Sequence, residues 1–395
     1  MNPHNKQEFE KNNYKISVII PVYNVERYIG KCLNSIVNQT IGIENIEVIV
    51  VNDCTPDNSM KIVKRYARDY PSIKILEHKK NLGLGSARET GLKCVTSDYI
   101  SFIDSDDFIS ENTYEVAIKH MEKHGCDLFI YPYDHYSEEG VESAQSIHEE
   151  IFKKKGLISE ISAVPEIIFA TSSCNKVYST RLSHLMKFPK TLYEDNVVSA
   201  EISFNADKIY VTDECTYFYR KRREKNSITQ QKHKKKCFDL VYINNQLHDL
   251  IKDYPEHREM IEWLNLHFVD KNILDWIFVW EFSNEEIKKV FYGLKSFLKD
   301  ISEGTMDNFN EYFPKYGLIR RELILDVENK EYPSFFIKWF QRLEYKVETK
   351  NFDDQSRLLE ELIKEKRCKT ERIRNEQKRI GKLNKKFEKI KVEYV

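Results

Sequence analysis

The run Ile100-Ser101-Phe102-Ile103-Asp104-Ser105-Asp106-Asp107 decides the reading of this chain. Its first half is apolar, and its second half carries three carboxylates within four positions. A strand that ends on Asp-x-Asp delivers hard oxygen ligands to one edge of a sheet. That suits Mg²⁺ or Mn²⁺ when a substrate's phosphates supply further ligands. Asp and Ser at such a place also form acidic turns and helix N-caps, so the surroundings have to separate the two meanings.

Upstream of this run the chain alternates between two periodicities. Short β-branched runs predict strands at 16–21, 46–51, 73–76, 99–103 and 127–133. Between them, helical spacing predicts helices at 26–38, 57–70, 85–95 and 112–123, the first marked by Tyr28, Ile29, Cys32, Leu33, Ile36 and Val37. Strands alternating with helices predict a parallel, doubly wound α/β sheet. Ligands of such sheets bind beyond the carboxyl ends of the strands. Tyr23 and Asn24, Asn52 and Asp53, and Asp104 and Asp106 all fall at those ends.

The bulk numbers exclude several classes. Of 395 residues, 62 are Lys or Arg and 63 are Asp or Glu, so nothing global points to nucleic acid. No apolar run is long enough to span a bilayer, and residues 1–13 read as a polar, flexible leader rather than a signal peptide. Eight scattered cysteines with no Cys-x-x-Cys argue against a zinc site and for a reduced, cytoplasmic protein.

Further pieces gather around the strand ends. Asp53, before Cys54-Thr55-Pro56-Asp57, can accept from a base or ribose, or simply close an Asx-turn. Asn81-Leu82-Gly83-Leu84-Gly85-Ser86-Ala87-Arg88 opens a helix whose N-terminal amides attract phosphate, and Arg88 can pair with phosphate or with the carboxylates. These glycines follow the third strand, not the first, which counts against a dinucleotide-binding dehydrogenase. Downstream, Glu194 and Asp195 offer a general base, or the acidic first turn of a helix. Arg220-Lys221-Arg222-Arg223 can screen a departing diphosphate, or form a solvated basic loop.

Taken in order, Ser17–Asn24, Val51-Asn52-Asp53 with Asp57, Asn81–Arg88, Phe102–Asp107, Tyr193-Glu194-Asp195 and Ser227-Ile228-Thr229 resemble the family 2 glycosyltransferases of GT-A fold. The resemblance covers roughly residues 14–230. It implies inverting transfer of a sugar from a UDP-sugar to a hydroxyl of a glycan or lipid-linked acceptor, with Mn²⁺ or Mg²⁺. On that resemblance Tyr23 and Asp53 hold the base and Arg88 supports the diphosphate. Asp104 and Asp106 lie near ribose and metal, Asp106 being the preferred ligand and Asp107 able to replace either. Asp195 is the base with Glu194 its rival, and Lys176 contacts donor or acceptor. Pro21, Asn24, Ser105, Arg220 and Ser227 complete the expected donor site. One departure concerns the metal: some relatives carry a metal-binding His in the basic segment, whereas Arg220 to Lys225 contains none and the next histidine is His233.

Beyond the GT-A domain, residues 231–350 predict a helical accessory domain. Residues 351–395 predict a basic amphipathic helix with an imperfect heptad seam through Leu359, Leu362, Ile373, Ile380, Leu383, Phe387, Ile390 and Tyr394. From Lys364 onward, 13 Lys and Arg face 5 Asp and Glu. Such a helix pairs subunits as a coiled coil, lies on the inner face of an anionic membrane, or packs on its own chain. Two rivals to transfer remain: a glycan-binding module without catalysis, and a nucleotidyltransferase. Pro21-Val22-Tyr23-Asn24-Val25 lacks the glycine- and arginine-rich phosphate loop of the latter.

Overall fold

The computed structural model describes residues 14–144, 147–223, 227, 233–273, 276, 282–301 and 305. Its centre is strand β1 (Ile16–Val22), buried along its whole length. β2 (Ile46–Asn52) and β3 (Ile73–Glu77) lie on one side of it, and β4 (Tyr99–Phe102) on the other. All three contacts among these four strands are parallel. Apolar residues on both faces are what a strand covered by helices on both sides requires. The connecting helices are α1 (Ile29–Val37), α2 (Ser59–Asp69) and α3 (Leu84–Leu92). α1 turns Ile29, Cys32, Leu33 and Ile36 into the core, as its spacing predicts.

After β4 the topology departs from simple repetition. β5 (Phe108–Ile109), α4 (Thr113–His124), β6 (Leu128–Ile130), β7 (Tyr133–Ser137), β8 (Gly140–Ser143) and β9 (Gly156–Ile158) follow. Then come β10 (Lys176–Ser179), α5 (Glu194–Asn205), β11 (Ile209–Val211) and β12 (Tyr217–Arg220). The main sheet runs β3-β2-β1-β4-β10-β6-β11-β9, and a small sheet runs β5-β12-β7-β8. β10 is antiparallel to both β4 and β6. The sheet is therefore mixed rather than wholly parallel. The sequence between 137 and 191 concealed this because its strands are three or four residues long, too short to show a period. The strand expected at 127–133 divides at Tyr131 and Pro132: β6 stays in the main sheet and β7 enters the small one.

Strand order reverses direction between β1 and β4, which opens a crevice at their carboxyl ends. Residues 23–24 and 103–107 emerge there.

Helices α6 (Lys235–Asp249), α7 (Arg258–Phe268) and α8 (Asn284–Asp300) follow the sheets. Packing crosses the domain boundary expected at 230. The Leu192 amide donates to Asp239 Oδ2 at 3.2 Å, and Phe204 stacks on His257 with ring centroids 4.5 Å apart. The compact unit extends over Met1–Phe309, and Asn310–Val395 form a second unit. The leader at 1–13 and the basic helix at 351–395 lie outside the described residues. Among the described residues no helix is long and apolar enough to cross a membrane.

Candidate active site

The crevice is built from two strand ends and a helix start whose backbones are bent sharply. Asn24, Cys54 and Tyr193 have φ of 54°, 58° and 65°, a conformation uncommon outside glycine. Such backbone strain persists where surrounding contacts over-determine it, as functional sites often do. Asn24 is held by its amide, which donates to Thr55 Oγ1 at 2.8 Å. Tyr23 beside it is 47% exposed. Pro21 lies inside β1 and is buried, so its part is to shape the strand end.

Asp53 is buried, and its carboxylate ties the strand end to the loop before α3. Oδ1 accepts from the Leu82 amide at 2.8 Å and pairs with His78 Nδ1 at 2.7 Å, while Oδ2 accepts from the Gly83 amide at 2.8 Å. Gly83 caps α3 with φ of 90°, which favours glycine. The amides of Leu82 and Gly83, just ahead of the helix, are thus engaged by Asp53. An ionised carboxylate has about four acceptor positions, so three donors leave room on Oδ2 for one more.

Of the two pairings open to Arg88, phosphate or carboxylates, the structure shows the second. The side chain is 1% exposed and turned inward. Nη1 donates to Glu194 Oε1 at 2.7 Å, and Nη2 donates to Asp104 Oδ1 at 2.9 Å. One guanidinium therefore spans the end of β4 and the first turn of α5. So enclosed, it holds the two carboxylate motifs together. Burial alone would lower its pKa, but the Asp104 charge and then Cys174 and Glu194 raise it well above the ordinary arginine value.

The three aspartates after β4 have separate surroundings. Asp107 is 1% exposed, and both its oxygens are used: Tyr217 Oη donates to Oδ2 and the Arg220 amide to Oδ1, each at 2.7 Å. It acts as a strut between the two sheets, which corrects the expectation that it could serve as a metal ligand. Burial, then the charges of Asp106 and Asp104, push its carboxyl well up. Asp106 faces Arg222, whose Nε and Nη2 reach Oδ2 at 2.8 and 2.7 Å. Its own carbonyl accepts from Arg220 Nε at 2.7 Å. Asp104 keeps the most open carboxylate of the three. Ser105 is buried between them.

At the start of α5, Glu194 and Asp195 diverge. Glu194 is 5% exposed and committed to Arg88. Asp195 is half-buried, with Oδ2 accepting from the Ser173 amide at 3.4 Å. Burial raises the Asp195 pKa, opposed by Arg88 and Lys176 and reinforced by Asp104. Lys176 is 0% exposed and donates to the Ser172 carbonyl. Burial pulls its pKa down to about 7 against the pull of Asp195. Its charge acts on Asp195 from within the core, and the side chain shows no exposed surface through which to meet donor or acceptor directly. Ser227 is buried.

Sequence reasoning gave no part to Tyr217 or His78. Tyr217 Oη accepts from the Asp104 amide at 3.3 Å while bonding Asp107. Its place in the aromatic run before the basic cluster was the available signal. His78, between Asp53 and Thr90 Oγ1 at 2.9 Å, had none.

Residues 17–183 match the family described as Glycosyl transferase family 2. The putative glycosyltransferase EpsH of Bacillus subtilis (strain 168) is 32% identical over 265 residues, 64% of this chain and 74% of EpsH. The chain belongs to glycosyl transferase family 2. Within the family it is also 32% identical, over 316 residues, to the minor teichoic acid biosynthesis protein GgaB of the same organism. That match covers 79% of this chain but only 32% of GgaB, so the chain spans about a third of that relative's length. Staphylococcus aureus TarS (residues 1–349), solved with UDP-GlcNAc, superposes with a TM-score of 0.64 at 23% identity. The alignment covers 81% of this chain and 89% of that one. The family 2 chain therefore shares the GT-A fold.

Proposed function

We propose that this family 2 chain transfers a sugar, with inversion, from a UDP-sugar to a hydroxyl of a bacterial cell-surface glycan or its lipid-linked precursor. The observation that carries this reading is the Arg88 bridge. It gathers Asp104, at the donor end of the crevice, and Glu194, next to Asp195, around one buried cation. Donor carboxylates and acceptor base then border one space, which direct displacement requires. The UDP-GlcNAc bound by TarS makes that nucleotide sugar the first donor to test, and the name of GgaB supports a teichoic-acid type of acceptor.

Asp195 is the base in this reading. Glu194 is spent on Arg88, whereas Asp195 is half-open. The acceptor oxygen gives its proton to Asp195 as it bonds to the anomeric carbon, and the bond from that carbon to UDP breaks on the opposite face. Negative charge grows on the diphosphate, and Arg222 and Arg220 stand at that rim. Tyr23, the last acceptor position of Asp53, Asn24 and Ser227 remain the proposed nucleoside contacts.

The donor set fits a loosely held divalent ion. Asp106 and Asp104 supply hard oxygens, and among the described residues no three acidic, His or Cys side chains form a ready-made cage. Asp104 and Asp106 would hold Mg²⁺ or Mn²⁺ as a one- or two-carboxylate site, with substrate phosphates completing the shell. When bound there, the ion supplies positive charge for the leaving diphosphate.

Calorimetric titration of UDP-glucose, UDP-galactose, UDP-GlcNAc and UDP-GalNAc, each with and without Mn²⁺, tests the reading. One donor is expected to bind and to release UDP slowly when water takes the acceptor's place. Failure of every UDP-sugar to bind would refute it.

A further inference from the structure

We infer that Arg222 is a resident counter-cation on Asp106 that competes with the divalent ion and yields only when a nucleotide diphosphate arrives. The inference rests on the reading above, in which Asp106 is the principal cation ligand. Two N–H groups of Arg222 converge on the single oxygen Oδ2 of Asp106, at 2.7 and 2.8 Å. The pair is mostly enclosed, with side-chain exposures of 11% and 16%. Charge-assisted contacts of this geometry are the strong ones, and low solvent exposure keeps them strong.

Neighbouring groups place the guanidinium. Its carbon lies 5.0 Å from the centroid of Tyr28, and the Arg220 guanidinium lies 5.1 Å from the same ring. Arg220 is fixed in turn by the Asp106 carbonyl and by the ring of Tyr136, 4.9 Å away. The aromatic faces thus support two guanidinium groups beside the aspartate that a metal would use. Lys31 adds a third positive charge, with Nζ 3.7 Å from the Tyr136 centroid.

A divalent ion approaching Asp106 alone meets Arg222 already on Oδ2 and Arg220 close by, so it competes with one cation and is repelled by both. A nucleotide diphosphate changes that balance, because it offers Arg222 an alternative anion and brings oxygen ligands to the ion. Cation and donor then bind cooperatively, and each raises the affinity for the other by the same factor. This arrangement keeps Asp106 neutralised while the donor site is empty.

The test is Mn²⁺ affinity, read from the free-ion paramagnetic resonance signal, with no sugar donor and no turnover. Arg222→Met is expected to bind Mn²⁺ alone roughly ten- to hundredfold more tightly than the native chain, the worth of a charged hydrogen-bonded contact. With saturating UDP the difference shrinks, and UDP affinity itself falls in the variant. Arg222→Lys retains the charge without the two-pronged contact and is expected to fall between. It also serves if the Met variant folds poorly, as judged by its circular dichroism. Equal donor-free Mn²⁺ affinity in the native chain and the folded variants overturns the competition, and so does weaker Mn²⁺ binding by them. Asp106→Asn separates the layers. If Mn²⁺ binding survives this change, the cation lies elsewhere, and both the Arg222 inference and the assignment of Asp106 fall.

Discussion

At the residue scale the site is a chain of charges in which each carboxylate has its own task. Asp195→Asn removes the proposed base while leaving the donor's contacts alone. Turnover, followed as UDP release, is expected to fall by about 10²- to 10⁴-fold with UDP affinity unchanged. Because burial raises the Asp195 pKa and the base works only when deprotonated, activity is lost as pH falls through a value above the usual carboxylate pKa of about 4. Lys176 lowers that pKa, and it carries its charge below its own pKa of about 7. Lys176→Met is therefore expected to shift the acid limb of the kcat–pH profile to higher pH. A shift to lower pH would contradict the electrostatic coupling. Arg88→Met strips Asp104 and Glu194 of their shared cation and is expected to cost about 3–5 kcal/mol in denaturant unfolding. Arg88→Lys should not restore the loss, since one ammonium lacks the fork that spans both carboxylates.

At the element scale the site depends on how closely α3 lies on β1. A Cβ on Gly91 would come within 2.5 Å of Ile19 Cγ2, and Ile19 is fully buried in the centre of the sheet. Gly91→Ala is expected to destabilise the fold by about 1–3 kcal/mol through overpacking, and to tilt the helix that carries Arg88. Adding Ile19→Val should recover part of that loss in a double-mutant cycle, because the two changes share one contact. Gly85 shows the same closeness at the helix start, where a Cβ would stand 2.9 Å from Phe188 Cβ. The helices were legible because their apolar residues recur with a clear period over nine or more positions, as in α1 and α2, and the strands because they are continuous runs rich in β-branched residues, as in β1. β10 was not. Four residues carry too little pattern to reveal an antiparallel strand inserted between β4 and β6.

At the scale of the whole molecule, every described residue of the site belongs to the compact unit Met1–Phe309. A chain truncated after Phe309 is accordingly expected to bind UDP with the affinity of the full chain, as measured by calorimetry. A marked loss would mean that residues 310–395 contribute to the donor site. What the sequence determined by itself was local: where apolar periods begin and stop, and so which carboxylates emerge at strand ends. Asp53, Asp104 and Asp106 were placed at strand ends in this way, and Asp195 in the acidic first turn of a helix. Only the tertiary structure decided what each of them faces. Arg88 meets Glu194 across 106 positions, and Arg222 meets Asp106 across 116. Periodicity reports the face on which a side chain lies, whereas its partner depends on how separate β/α units close upon one another. That is why Arg88 stays open between phosphate and carboxylates in one dimension and becomes a buried tie between two carboxylates in three.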